Sequence, residues 1–330
     1  MVVRNEESVL ERKLQNLLGL DYPPDLCQVV VVSDGSTDRT EDILHEQAGN
    51  PRLLVVREQL QGGKARGLND AIAVAGGEVI IFTDARQQIE TGALRALVEN
   101  FADPEVGCVS GALMLGDPAL GEATKGMGLY WRIEKKIREL ESESGSVVGA
   151  TGALYAVRRE LLTTVPVGTI LDDLYIPLQV VRQGRRVVFE PRARAWDSPD
   201  LGGKREFARK VRTLTGNYQL LQLAPWVLGA DNPILLRLVS HKLLRLAVPF
   251  ALAAALVASL WLKAPLYRMA LVLQLAFYGL GLLALARLPK ASVIARIADA
   301  ASTFVLLNTA AVVAFANFAS GRKTAWGQGD

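Results

Sequence analysis

The sequence predicts an α/β domain built on a mixed, mostly parallel sheet, followed by C-terminal transmembrane helices. Three observations carry this. From residue 28 to 114, short β-branched runs alternate with stretches of helical period, the pattern of successive βαβ units. Half of the 330 residues are apolar, which is high for a purely soluble chain. Three long uncharged stretches then follow residue 245.

The opening Met1-Val2-Val3-Arg4-Asn5-Glu6-Glu7 turns polar within four residues and carries no signal-peptide pattern. Strands are predicted at Val29–Val32, Leu53–Val56, Val79–Phe82 and Val106–Val109. Between them Asp38–Ala48, Lys64–Ala75 and Thr91–Phe101 space their apolar residues by three and four, as helices packed on a sheet do. An amphipathic stretch, Ala123–Glu143, leads into the glycine-rich turn Gly145–Gly152, where backbone can approach a ligand. A strand at Leu154–Val157, the pair Asp172-Asp173 heading a helix to about Gln183, a strand at Arg186–Glu190 and a basic helix from about Lys204 to Leu223 complete this part.

Residues 1–235 are thus expected to form the α/β domain, ending in a basic, interfacial helical region, and residues 236–330 the membrane region. Leu246–Leu262, Met269–Ala286 and Ala300–Gly321 hold 17, 18 and 22 uncharged residues, enough to cross a bilayer. Lys263, Arg268, Arg287, Lys290, Arg322 and Lys323 flank them. With three crossings the basic end would face away from the side of the α/β domain, so one segment is expected to be re-entrant or to lie along the interface.

Charge follows the same division. Residues 1–244 carry 29 Lys and Arg against 32 Asp and Glu, and residues 245–330 carry 8 against 2. The basic excess sits in the apolar tail, so it reads as membrane flanks and not as a nucleic-acid surface. Cys27 and Cys108 each lie in an apolar run, which supports no disulfide framework. His45 and His241 lack partners at metal-ligand spacing.

Four motifs carry chemistry. Ser33-Asp34-Gly35-Ser36-Thr37-Asp38 follows a strand: Asp34 stands at the strand end, where ligands of parallel sheets bind, and Gly35 permits the turn. Gly62-Gly63-Lys64-Ala65-Arg66 opens a helix, an anion site by its free amides and its cations, without the spacing of a Walker loop. Thr83-Asp84-Ala85-Arg86 ends the strand Val79–Phe82, so Asp84 is a candidate cation ligand. Leu171-Asp172-Asp173-Leu174 offers a carboxylate base, although two acidic residues at a helix start also act as ordinary caps.

The order of these motifs through most of residues 1–223 resembles glycosyltransferase family two, which has a GT-A (Rossmann-like) fold. Its membrane-bound polysaccharide-synthase branch is the nearest pattern. The resemblance implies an inverting transfer from a nucleotide sugar, with UDP expected, to a glycan or lipid-linked acceptor in cell-surface polysaccharide synthesis. A polyprenyl-phosphate enzyme adding one sugar is the alternative, and a non-catalytic membrane subunit of glycan assembly another. It implies that Asp34 and Gly35 meet the nucleotide, that Lys64 and Arg86 face the diphosphate, and that Asp84 holds a divalent cation, Mg²⁺ or Mn²⁺. Asp173 becomes the base, with Asp172 beside it, and the Gly149-Ala150-Thr151-Gly152 turn before them resembles the acceptor side. Arg209-Lys210-Val211-Arg212-Thr213 stands where processive members carry Gln-x-x-Arg-Trp, so Arg212 and Arg209 are assigned to the leaving diphosphate. Thr213 replaces the aromatic, and Arg86 stands where many members carry a second metal ligand. Trp196, Tyr218 and Trp226 are the other aromatics that could meet sugar or simply pack. The expected location is the plasma membrane, multi-pass, with the catalytic domain cytoplasmic. The family's apolar first strand has no full counterpart before Arg4, so this form is expected to fold poorly.

Overall fold

A computed structural model describes residues 1–117, 121–122, 128–197, 203–284 and 293–322. The chain forms two compact units, one of Met1–Leu201 with Leu220–Arg237, the other of Gly202–Gln219 with Leu238–Thr324. Arg287, Lys290 and Lys323, expected as membrane flanks, and the start of the amphipathic stretch at 123–127 lie outside the described residues.

In the first unit the elements run β1 (Val2–Val3), α1 (Leu10–Leu18), β2 (Val29–Asp34), α2 (Thr40–Glu46), β3 (Leu53–Glu58), α3 (Lys64–Val74), β4 (Val79–Phe82), β5 (Gln88–Ile89) and α4 (Ala93–Glu99). They continue as β6 (Val106–Asp117), β7 (Gly121–Glu122), α5 (Gly128–Glu143), β8 (Tyr155–Arg158), α6 (Asp172–Arg182) and β9 (Arg186–Asp197). The unbroken valine run of β2 suits a strand buried on both faces. It pairs in parallel with β1 on one side, Val2 opposite Val32, and with β3 on the other, from Val29 opposite Leu53 to Asp34 opposite Glu58. Asp34 is therefore carried to the carboxyl end of a parallel ladder.

The remaining strands form a second sheet in the order β4-β8-β6-β9-β5, with β7 paired to the far end of β6. Here β6 and β9 are parallel and the other pairings antiparallel. Both β6 and β9 run for 12 residues, well past Val109 and Glu190, because Ala112 to Leu115 pair with Arg194 to Asp197 after a register shift. Such a shift adds twist and lets two long strands stay paired around a bend. Val2 and Val3 supply a short piece of the first strand. A cavity of about 530 Å³, lined by Met1, Val29, Val30, Ile72, Val79 and Ile81 among others, lies between the amino-terminal half of β2 and the length of β4.

One apolar core joins the helices to these strands. Leu10, Leu14 and Leu17 of α1, Val31 of β2, Leu97 of α4, Val109 of β6 and Leu154 pack in it. Among them only Leu17 is more than 1% exposed.

In the second unit the part of α7 (Gly203–Leu223) up to Gln219 contributes Val211 and Leu214 to a cluster with Leu246, Ala310, Ala311 and Ala314. Among the described residues three helices are long and apolar enough to cross a membrane: Leu235–Trp261, Pro265–Leu283 and Ile297–Ala319. Their contacts are those of helices that approach through small residues: a Cβ added at Gly281 would lie 3.5 Å from the Ala301 backbone. Gln274 donates to the Leu252 carbonyl at 3.0 Å and to the Tyr278 hydroxyl at 2.7 Å, so its amide is satisfied within the helices. Outward they present Trp261, Leu266, Val272 and Leu282, each more than 60% exposed.

Candidate active site

The site is assembled at the ends of β2 and β4 and the start of α6. Asp34 is 1% exposed. Its carboxylate accepts the Gly62 amide at 2.6 Å and the Gly63 amide at 3.0 Å. These amides precede the first turn of α3 and have no partner within that helix, so Asp34 fixes the glycine-rich loop. Gly35 has φ 61°, and a Cβ there would approach the Gln61 amide nitrogen to 2.9 Å. Only glycine allows both the turn and the close passage of the loop. The segment before α1 braces the same turn: the Asn5 side chain accepts the Thr37 amide at 2.8 Å and Glu7 accepts the Arg39 amide at 3.0 Å.

Holding Gly62 and Gly63 sets the position of Lys64. Its ammonium lies 2.9 Å from Asp84 Oδ1 and 3.1 Å from Asp172 Oδ1. Burial alone would lower the Lys64 pKa, but the carboxylates of Asp172 and then Asp84 override it and hold the ammonium protonated well above its ordinary range. The side chains grade from inside to outside: Asp172 is 6% exposed, Lys64 18% and Asp84 40%. Asp172 also lies 3.5 Å from the Tyr155 hydroxyl, whose pKa is raised by burial and by the Asp172 charge. Asp84 is thus the member of the trio open to a ligand.

Asp173 reaches the same place from α6, and Pro177 explains how. Proline has no amide hydrogen, so the Asp173 carbonyl lacks its usual donor four residues on. The Ala150 amide takes that carbonyl instead, at 2.8 Å. The Gly149–Gly152 turn is thereby drawn onto the head of α6, and the Gly152 amide donates to Asp173 Oδ2 at 3.0 Å. A Cβ at Gly152 would stand 3.2 Å from Asp173 Oδ2 and 3.5 Å from Asp84 Oδ2. Both carboxylates therefore face this one glycine, and Asp173 is half-buried where Asp172 is fully buried.

Sequence reasoning missed Lys13. It is 1% exposed on α1, donating to Thr83 Oγ1 at 2.9 Å and to the Gln87 carbonyl at 2.7 Å. The Thr83 hydroxyl in turn donates to the Ala153 carbonyl at 2.9 Å. This relay spans the turn that carries Asp84 and Arg86 and ties it to the glycine turn at Asp173. Its signal in the sequence is a lysine placed three residues after Leu10 and four before Leu17, on the apolar stripe of a helix.

Asp34, Gly35, Lys64, Asp84, Asp172 and Asp173 are thus brought together in the first unit. Arg86 follows Asp84 on the same turn and is partly exposed. Arg209 and Arg212 are on α7 in the second unit, both partly exposed. Trp196 is a packing residue whose indole donates to Glu90 at 2.8 Å, and Tyr218 packs on Phe315 and Phe318. The Arg182 guanidinium lies over Trp226, 5.2 Å from its ring centre.

The donor set suits a hard divalent cation. Among the described residues no three His, Cys, Asp or Glu side chains form a cage. A cation of the magnesium kind is commonly held by one or two carboxylates and completed by substrate phosphates, and the half-exposed Asp84 provides such a foothold.

Comparison with known proteins agrees with this architecture. Over 186 residues the chain is 31% identical to the beta-monoglucosyldiacylglycerol synthase of Synechocystis sp., covering 54% of this chain and 39% of that one. Over 228 residues it is 25% identical to the poly-beta-1,6-N-acetyl-D-glucosamine synthase of Staphylococcus aureus, covering 66% and 53%. The chain therefore spans about half the length, or less, of these curated relatives. A solved mannosyltransferase from Pyrobaculum calidifontis, in complex with GDP-Man and Mn²⁺, superposes with a TM-score of 0.75 at 26% identity, over 97% of this chain and 86% of that one. Residues 1–165, half of the chain, match the profile of glycosyl transferase family 2, and the chain belongs to that family.

Proposed function

We propose that this chain is a membrane-anchored inverting glycosyltransferase that moves a sugar from a nucleotide diphosphate donor to a glycan or lipid-linked acceptor. The convergence of Asp84 and Asp173 on Gly152 is the observation that carries this reading. A single displacement needs an acid–base group on the acceptor side and a place for diphosphate charge on the donor side. Two carboxylates from different elements, facing one glycine without a side chain between them, supply both.

In this reading Asp173 is the base. As the acceptor hydroxyl oxygen attacks the anomeric carbon, its proton passes to the Asp173 carboxylate, and the bond from that carbon to the diphosphate oxygen breaks with its electron pair. The Gly152 amide orients Asp173 for this. Asp172 is buried and paired with Lys64, so it serves as support. Asp84 would hold the divalent cation, which when bound offsets the charge of the leaving diphosphate. Arg86, and from the family pattern Arg209 and Arg212, are assigned to the same diphosphate. Asp34 acts on the nucleotide side through the loop it clamps. The relatives make a glycolipid and a polysaccharide, and the exposed apolar helices suit an acceptor kept at a bilayer; the base is expected to be uracil, with guanine tested beside it.

The test is Asp173→Asn, which keeps the shape and removes the base. Transfer should fall by about 10²- to 10⁴-fold, with nucleotide and Mn²⁺ binding retained. Unchanged transfer would remove Asp173 from the mechanism.

A further inference from the structure

We propose that Lys64 is an internal counter-ion that occupies the carboxylates of the cation site until a nucleotide diphosphate arrives, and so makes divalent-cation binding depend on the donor. The inference rests on the reading of Asp84 as the cation ligand. Lys64 bridges Asp84 at 2.9 Å and Asp172 at 3.1 Å, and neither contact is incidental. The ammonium heads α3, whose preceding amides are clamped by the buried Asp34 at 2.6 and 3.0 Å. Its other partner, Asp172, is 6% exposed and also lies 3.5 Å from the buried Tyr155 hydroxyl.

A divalent cation that reached Asp84 alone would enter beside a fixed positive charge a few ångströms away. It would also have to displace an ammonium that already pairs with this carboxylate and with Asp172. A diphosphate changes both terms. Its oxygens complete the cation's shell, and its negative charge offers the ammonium a second partner when the cation takes Asp84. The two ligands then strengthen each other, and by linkage each does so by the same factor. The arrangement keeps Asp84 paired with a shared ammonium in the free enzyme and lets the cation in with its cargo.

Mn²⁺ binding to the full chain in detergent, read from the electron paramagnetic resonance signal of free Mn²⁺, tests this without relying on turnover. Wild-type protein is titrated with Mn²⁺ alone and with Mn²⁺ plus UDP or GDP, alongside Lys64→Met, Lys64→Gln and Lys64→Arg. The expected result is weak binding of Mn²⁺ alone to wild type and Lys64→Arg. Lys64→Met and Lys64→Gln should bind it at least tenfold more tightly, and the gain should vanish when Asp84→Asn is added. Two neutral replacements guard against one that fails to fold. Equal or weaker Mn²⁺ binding by the folded neutral variants would overturn the counter-ion role while leaving the enzyme reading intact. If neither nucleotide brings Mn²⁺ to the wild-type protein, the proposed donor site itself fails, and this inference with it.

Discussion

Lys13 shows how much one buried residue can decide. Its pKa is lowered to about 7, mainly by burial, with the charge of Asp84 opposing that shift. An unfolded chain holds this proton up to pH 10.5. Between those values the unfolded state binds more protons than the folded one, so stability rises with pH across that window and is lowest below it. Replacing Lys13 with Met removes the titrating group. The thermal midpoint of wild type should climb between pH 7 and 10 relative to Lys13→Met, in scans run side by side. Parallel curves for the two proteins would show that this lysine is not buried as described. The same residue illustrates what reading a sequence misses. Asp34, Asp84 and Asp173 were legible because they end strands or head a helix in a recognisable order. No helix was predicted over Leu10–Leu18, and nothing local reveals that Lys13 faces the turn after β4.

At the scale of elements, strand and helix placement was legible wherever β-branched runs or three-and-four spacing did the work, as in β2, β4 and α3. Local pattern could not reveal the lengths of β6 and β9 or the division into two sheets, which depend on pairings between residues about 80 apart in the chain. The two-residue strands β5 and β7 carry no period at all. Pro177 was likewise silent in sequence, yet it couples two elements. Pro177→Ala would restore an amide able to compete with Ala150 for the Asp173 carbonyl. Proline costs about 3 kcal/mol in a helix interior, so the thermal midpoint of the variant should hold or rise. Transfer should nonetheless drop about tenfold or more, because a small misplacement of a reacting group is expensive. A variant of full activity would show that the glycine turn does not need this proline to present Asp173.

For the whole molecule, the sequence divides its labour clearly. Acidic and basic residues balance in the α/β part, whereas the last 86 residues are apolar with 8 cations against 2 anions. Each of the three long helices leaves large apolar side chains exposed, a surface that costs free energy in water and none in lipid. In the proposed reading, such a unit joined to the glycosyltransferase domain would keep the reaction beside acceptors held at a bilayer. The assignment of donor, cation and acceptor can be tested in one assay. Membranes containing the full chain are incubated with a panel of UDP and GDP sugars and Mn²⁺, and the lipid and polymer fractions are analysed for transferred sugar. The account predicts a glycosylated product from at least one donor, lost on chelation of the metal and in Asp84→Asn. Transfer that persists in Asp84→Asn, or no transfer from any nucleotide sugar, would contradict it.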